Sequence, residues 1–181
     1  LRLRAAHYLE EHESPEQAID LYLDAGSPAR AAQLAERNAQ SLKRAGQSQT
    51  LQSWADRLEA AGAKAPEVLL YLASAHYERG DVEAARAALV RADRMIGPKT
   101  RVLTRAQSEV MRGFIALYEE QFAQVLRSTK KVERLLARSP DRLQRARCLR
   151  LEAWAHAGGG RDYQAAEQCA IRAVELLEQL D

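Results

Sequence analysis

The sequence predicts an all-α protein, a right-handed α-solenoid of about five helical hairpins and ten helices. Three observations carry this. Small residues recur in mid-helix at a near-constant interval: Ala6, Ala39, Ala73, Gly113 and Ala153, spaced by 33, 34, 40 and 40 residues. Twelve residues after each lies a position of buried type, Ala18, Leu51, Ala85, Val125 and Ala165. Seven further on come Ala25, Leu58, Ala92, Val132 and Arg172, or Ala173 if one loop residue is extra. β-branched residues are scarce, and no run alternates apolar with polar as a half-buried strand does. A period of about 34–40 residues holding two helices marks stacked helical hairpins. The physical basis is close approach: two helices cross near the lower end of the usual range of about 8–10 Å only where the facing side chains are small.

Caps and breakers set the elements in order. Arg2 and Arg4 already sit in a helical pattern, so the first helix begins near the first residue. Ser14-Pro15-Glu16-Gln17 offers an N-cap serine, proline at the first helical position and glutamine three residues after the cap. Ala25-Gly26-Ser27-Pro28 stops that helix and starts the next in the same way. Gly46 and Ser48 separate a helix over Pro28–Ala45 from one over Gln49–Ala60. Ala65-Pro66 opens a helix with Leu69, Leu72 and Ala73 on a broad apolar face, and Gly80-Asp81 is a turn and cap before Val82–Ile96. Gly97-Pro98 ends that helix, and Thr100–Glu120, Phe122–Ala137, Arg142–Ala157 and Tyr163–Leu180 complete the ten. The hairpins cover about 1–26, 28–60, 66–97, 99–138 and 141–181, within a single repeat domain over 1–181.

With 181 residues the chain can bury roughly 70% of its unfolded surface. Its 46% hydrophobic and 29% charged residues suit a soluble globular protein. No apolar run approaches the roughly 20 residues that span a bilayer, and no signal-peptide core is present. The chain opens at Leu1 within a helical pattern, as expected of a fragment of a longer protein, and an end without a polar capping helix predicts that the array continues past Asp181. Two cysteines, Cys148 and Cys169, cannot define a disulfide framework. They fall on the two arms of the last hairpin and read as small buried thiols of a cytoplasmic protein.

From Leu69 through Ala73, Tyr77, Gly80-Asp81, Ala85, Leu89 and Ala92 to Pro98, the third unit resembles the tetratricopeptide (TPR) pattern. The fourth and fifth units stretch to 40 residues and are TPR-like rather than strict TPR. The first half carries a narrower resemblance. Arg4-Ala5-Ala6 with Leu9, Gln17-Ala18-Ile19, Ala25-Gly26, Ala31-Ala32 and Leu34, then Leu42, Gly46, Leu51, Trp54 and Leu58, and finally Pro66 and Gly80-Asp81, come in close order. Together they resemble the TPR-like region of the large ATP-dependent LuxR-type transcriptional activators, the MalT-like family. In that family the segment follows a nucleotide-binding and a winged-helix module, precedes a DNA-binding helix-turn-helix, and acts as a sensor and assembly arm to which inducers or inhibitory proteins bind. The resemblance covers about 1–98 in detail and 99–181 only in period and small-residue placement. The chain has no G-x-x-x-x-G-K-[ST] phosphate loop and nothing that reads as a recognition helix, so nucleotide and DNA binding are not assigned to these residues, and any DNA contact of a parent protein is expected from a separate domain.

Catalytic and metal chemistry find no support. His7 and His12 are five apart, about 140° around a helix, and do not share one ion. His76 and His156 take equivalent places two hairpins apart. No serine, cysteine or histidine stands in a recognisable nucleophile motif. Gly158-Gly159-Gly160 lacks a preceding strand and a following Lys-Ser/Thr, and reads as a flexible interhelical turn. Glu10-Glu11 and Glu119-Glu120 are adjacent in sequence and point to different sides of their helices, as solvated charges do. The chain is expected to be no enzyme and to need no cofactor or metal.

Two surfaces remain. Arg127 to Arg150 holds nine Lys/Arg against two acids, in a chain of net charge +2. Arg127, Lys131, Arg134 and Arg138 lie at helical spacing, and Arg142 and Arg145 extend the stripe to the next helix. It is open to three readings: a solvated outer face whose long stems cover apolar surface, a dock for an acidic partner, or a nucleic-acid contact. No aromatics interleave with these cations, which argues against single-strand binding. The second surface is the concave face lined by the first helix of each pair. It is expected to carry Gln40, Lys43, Arg44, Leu70, Ser74, Tyr77, Glu78, Val110, Phe114, Leu117 and Tyr118, with Tyr77, Phe114 and Tyr118 as anchors. Trp54 and Trp154 read as core. The expected function is non-catalytic: an arm that binds a protein or small effector on its concave face and shifts assembly state, self-association included. A TPR adaptor unrelated to transcription, and nucleic-acid contact through the basic stripe, are the alternatives.

Overall fold

The computed structural model describes residues 1–12, 14–139 and 141–179. It is all-helical, about 81% helix, with no strand among the described residues. The helices are α1 (Arg2–Glu11), α2 (Pro15–Asp24), α3 (Pro28–Arg44), α4 (Ser48–Ala60), α5 (Pro66–Glu78), α6 (Val82–Met95), α7 (Val102–Tyr118), α8 (Phe122–Leu135), α9 (Arg142–Ala155) and α10 (Tyr163–Glu178). The chain divides into two compact units, Leu1–Met95 and Ile96–Asp181, next to the Gly97-Pro98 breaker. No described helix is long and apolar enough to cross a membrane.

In the first unit consecutive helices pack on one another, and α3 also packs on α5. Ala39 and Ala73, the small residues of those two helices, are fully buried, as is Ala6. Around them Ile19, Tyr22, Leu51, Leu58, Leu69 and Leu72 fill the core. Pro15 and Pro28 stand at the first helical position as the sequence predicts, but the Ser14 and Ser27 hydroxyls make no cap hydrogen bond. Their ψ of 64° and 57° falls short of the extended backbone that aims a cap hydroxyl at the first turn. Asp81 does cap, accepting from the Ala84 amide at 3.0 Å.

The turns after α2, α3, α4 and α5 share one closure. Gly46 N–H donates to Lys43 O and Gln47 N–H to Leu42 O, at 3.1 and 2.9 Å, and the same pair of bonds recurs at Gly26, Gly62 and Gly80. This Schellman closure needs positive φ, and the four glycines lie between 69° and 80°.

In the second unit α7 packs on α8 and α9, α8 on α9, and α9 on α10. Ala106, Val125, Val132, Leu136, Leu151 and Ala155 form the core. Gly113 is buried at the α7–α9 crossing, where a Cβ would lie 2.9 Å from Leu151 Cδ1. The turn after α7 repeats the Schellman bonds, Glu120 N–H to Leu117 O and Gln121 N–H to Ala116 O, with a glutamate at φ 56° in place of glycine. In the last hairpin Ala173 is buried and Arg172 exposed, so this unit carries the extra loop residue; Ala153 and Ala165 are half-buried. α9 does not give way to a free loop: His156–Gly160 continues it as a π-helical turn. The Phe122 ring lies where side chains on Gly158 and Gly159 would stand, 2.6–2.8 Å from their would-be Cβ atoms, which explains two of the three glycines.

Candidate functional site

The small residue of each first helix fixes which neighbours can face outward. Leu70 and Val110 precede Ala73 and Gly113 by three residues, about 60° around the helix, which keeps them inside the buried arc. They are 0% and 3% exposed, so neither lines a surface. In the first unit the remaining candidates make a polar face. Lys43 is ion-paired with Glu78 across α3 and α5, and Ser74 Oγ donates to the same Glu78 oxygen at 3.4 Å. Arg44 is exposed, and Gln40 and Tyr77 are half-buried.

The equivalent face of the second unit is aromatic. Phe114 is half-buried against the core, and Leu117 packs there as well. The Arg150 guanidinium lies over the Phe114 ring, 5.0 Å from its centroid, a cation–π contact from α9 to α7. One turn on along each helix, Tyr118 is 62% exposed and Trp154 is 61% exposed. Trp154, expected in the core, is therefore a surface residue, whereas Trp54 is buried as expected. The repeat register held the signal: Trp154 follows Ala153 as Phe114 follows Gly113.

The basic stripe does not form one surface of free cations. Arg127, Lys131 and Arg134 are exposed on α8 and Arg138 in the turn after it, but Arg127 donates to Gln124 and Lys131 pairs with Glu109. Arg145 donates to Leu136 O, at the C-cap of α8, at 2.7 Å and to Ser139 O in the following turn at 2.9 Å, and Arg142 reaches Gln179 O beyond α10 at 3.0 Å. Among the described residues only Arg134 and Arg138 of the six have no hydrogen-bond or ion-pair partner. Glu109 is 7% exposed. Burial pushes its carboxyl up, but hydrogen bonds and charge from Arg112 and Lys131 together hold it below the usual carboxylate value.

Burial pushes the Cys148 thiol up to about 12, with Glu152 and Glu133 adding to the effect. Burial, then Glu152, also raises Cys169. Among the described residues no group of three or more His, Cys, Asp or Glu is arranged to hold a metal ion. The fold and this face define an all-helical chain of hairpins with an aromatic–arginine patch. Comparison with known proteins gives no match: no family model, no curated protein and no solved structure is detectably similar to the chain.

Proposed function

We propose that the chain is a non-catalytic binding scaffold, a TPR-like right-handed solenoid that docks a protein segment on the α7–α9 face. The observation that carries this is the pairing of two largely exposed aromatics, Tyr118 and Trp154, with the Arg150–Phe114 stack. Tryptophan, tyrosine and arginine dominate the energetics of protein interfaces, and a rigid helical base presents them at little entropic cost. Peptides selected against the full chain by display should lose binding by about 30-fold, roughly 2 kcal/mol, in Trp154→Ala. The helical melt should stay unchanged, because that side chain is mostly in water. Selected peptides indifferent to both Trp154→Ala and Arg150→Glu would place the binding elsewhere.

The narrower reading, a cytoplasmic sensor arm of a MalT-like regulator whose assembly state shifts on docking, is supported by the residue resemblance over about 1–98. The gene decides it: a phosphate-binding loop upstream and a helix-turn-helix downstream favour the regulator, and a gene lacking both leaves a general adaptor.

A further inference from the structure

In the second unit α8 and α10 both pack on α9 without packing extensively on each other, and a groove of about 340 Å³ lies between them. Val132, Leu149 and Leu176, one from each helix, give it an apolar lining. Glu133, Glu152 and Glu175, again one from each helix, stand around it with Arg172 and Arg145. The Arg145 guanidinium is already turned onto the α8 carbonyls. Among the described residues none of the three carboxylates is in an ion pair, and neither is Arg172. A volume of this size falls in the range of small-molecule sites, about 300–1,000 Å³.

The corresponding place in the first unit is bridged by an ion-pair clamp. Arg91 precedes Ala92 as Arg172 precedes Ala173, and Glu59 follows Leu58 as Glu133 follows Val132. Arg91 Nη2 lies 2.6 Å from Glu59 Oε2 and 2.7 Å from Asp56 Oδ1, tying α6 to α4. In the second unit the place of Asp56 is taken by Lys130, so the register offers no second carboxylate to the arginine. The clamp that ties α4 to α6 has no ion-paired counterpart between α8 and α10 among the described residues. The carboxylates of the second groove face an apolar lining with one negative charge in excess. Cys169 Sγ donates to Glu152 Oε2 at 3.9 Å, and both thiols, raised chiefly by burial, are raised further by Glu152 and Glu133, which places these carboxylates on the α9 side of the groove.

We propose that this groove binds a small organic cation, an ammonium group on an apolar body. Glu133 and Glu152 take the ammonium, and Val132, Leu149 and Leu176 cover the apolar part. The site is separate from the aromatic face and does not depend on its reading.

Calorimetric titration of the full chain at low ionic strength tests this, with 2-phenylethylammonium as the probe and phenylacetate and 2-phenylethanol as controls matched in size. The cation is expected to bind, the anion and the alcohol far more weakly. Loss of one charged partner in Glu133→Gln or Glu152→Gln should weaken binding by about tenfold. Arg172→Gln should leave it equal or tighter, and Trp154→Ala should not change it. Glu133 is exposed, so its variant keeps the fold and preserves the test if Glu152→Gln does not. No binding of the cation, equal binding of all three probes, or an unchanged affinity in Glu133→Gln overturns the proposal.

Discussion

The two units draw on one repeat and use its positions differently. In Leu1–Met95 the charged positions are matched inside the fold: Arg57 pairs with Asp20, Arg91 with Asp56 and Glu59, Lys43 with Glu78, and Glu10 collects Tyr22 and Arg37. In Ile96–Asp181 the register puts Arg172 where Arg91 stands, without a partner among the described residues, and puts Phe114 and Trp154 where the first unit has Gln40 and Ser74. The backbone plan is shared, down to the Schellman closure at Glu120. The difference between the two units therefore lies in the side chains exchanged at matching positions of neighbouring helices, not in the backbone.

The sharpest way to break the comparison is at the helix crossings. Gly113→Leu adds four carbons where even a Cβ would stand 2.9 Å from Leu151 Cδ1, so it should cost about 3 kcal/mol, the upper end for overpacking. Ala73→Gly at the matching crossing of the first unit should cost only about 1 kcal/mol, from helix propensity. Urea denaturation followed by circular dichroism reads both, and an equal cost would mean the two crossings are packed alike.

Glu109 gives the second unit its own acid sensitivity. Its folded pKa lies below the unfolded value, so its contribution is present above that unfolded value, about 4.3, and is lost as pH falls through the folded one. Glu109→Gln should lower stability at pH 7 by about 1–2 kcal/mol and flatten the acid limb of the stability profile. A profile of unchanged slope in that variant would show that Arg112 and Lys131 do not favour the ionised form.

Much of this was legible in the sequence, for identifiable reasons. Small residues at a crossing must be buried, so their period gave the hairpins, and proline and glycine punctuation gave most helix ends. Leu70 and Val110 were misplaced because an outward face was drawn about 60° too wide. Trp154 was misplaced because a tryptophan was judged by its type rather than by its repeat position. The long-range partners of the basic stripe are not legible in the sequence. Lys131 meets Glu109 from 22 residues away and Arg142 meets Gln179 from 37, and such pairings follow from packing, not spacing. The Gly158–Gly159 pair likewise reads as a bare loop in the sequence, because the Phe122 ring that packs against it lies 36 residues away along the chain.

The turns carry a smaller, signed contrast. A Cβ on Gly46 or Gly80 meets nothing within 4 Å, so Gly46→Ala or Gly80→Ala should cost only the conformational penalty of positive φ, about 1 kcal/mol. Glu120 already bears that penalty at φ 56°, so Glu120→Gly should stabilise the second unit by about 0.5–1 kcal/mol. Thermal melts of the three variants test the signs together, and a destabilising Glu120→Gly would mean that the Glu120 side chain contributes more than its backbone costs.

The smallest effect bears most directly on the groove. Arg91 is held by two carboxylates and only 24% of its side chain is exposed, so Arg91→Ala should cost about 0.5–1 kcal/mol, the upper part of the range for surface pairs. Arg172→Ala should cost close to nothing. Lys130→Asp restores the carboxylate that Asp56 supplies in the first unit and should gain about 0.5 kcal/mol, but only while Arg172 is present to meet it. A double-mutant cycle of Lys130→Asp with Arg172→Ala isolates that coupling. If Arg172→Ala alone costs as much as Arg91→Ala, the arginine is already engaged within the fold, and the second groove is closed by the same device as the first.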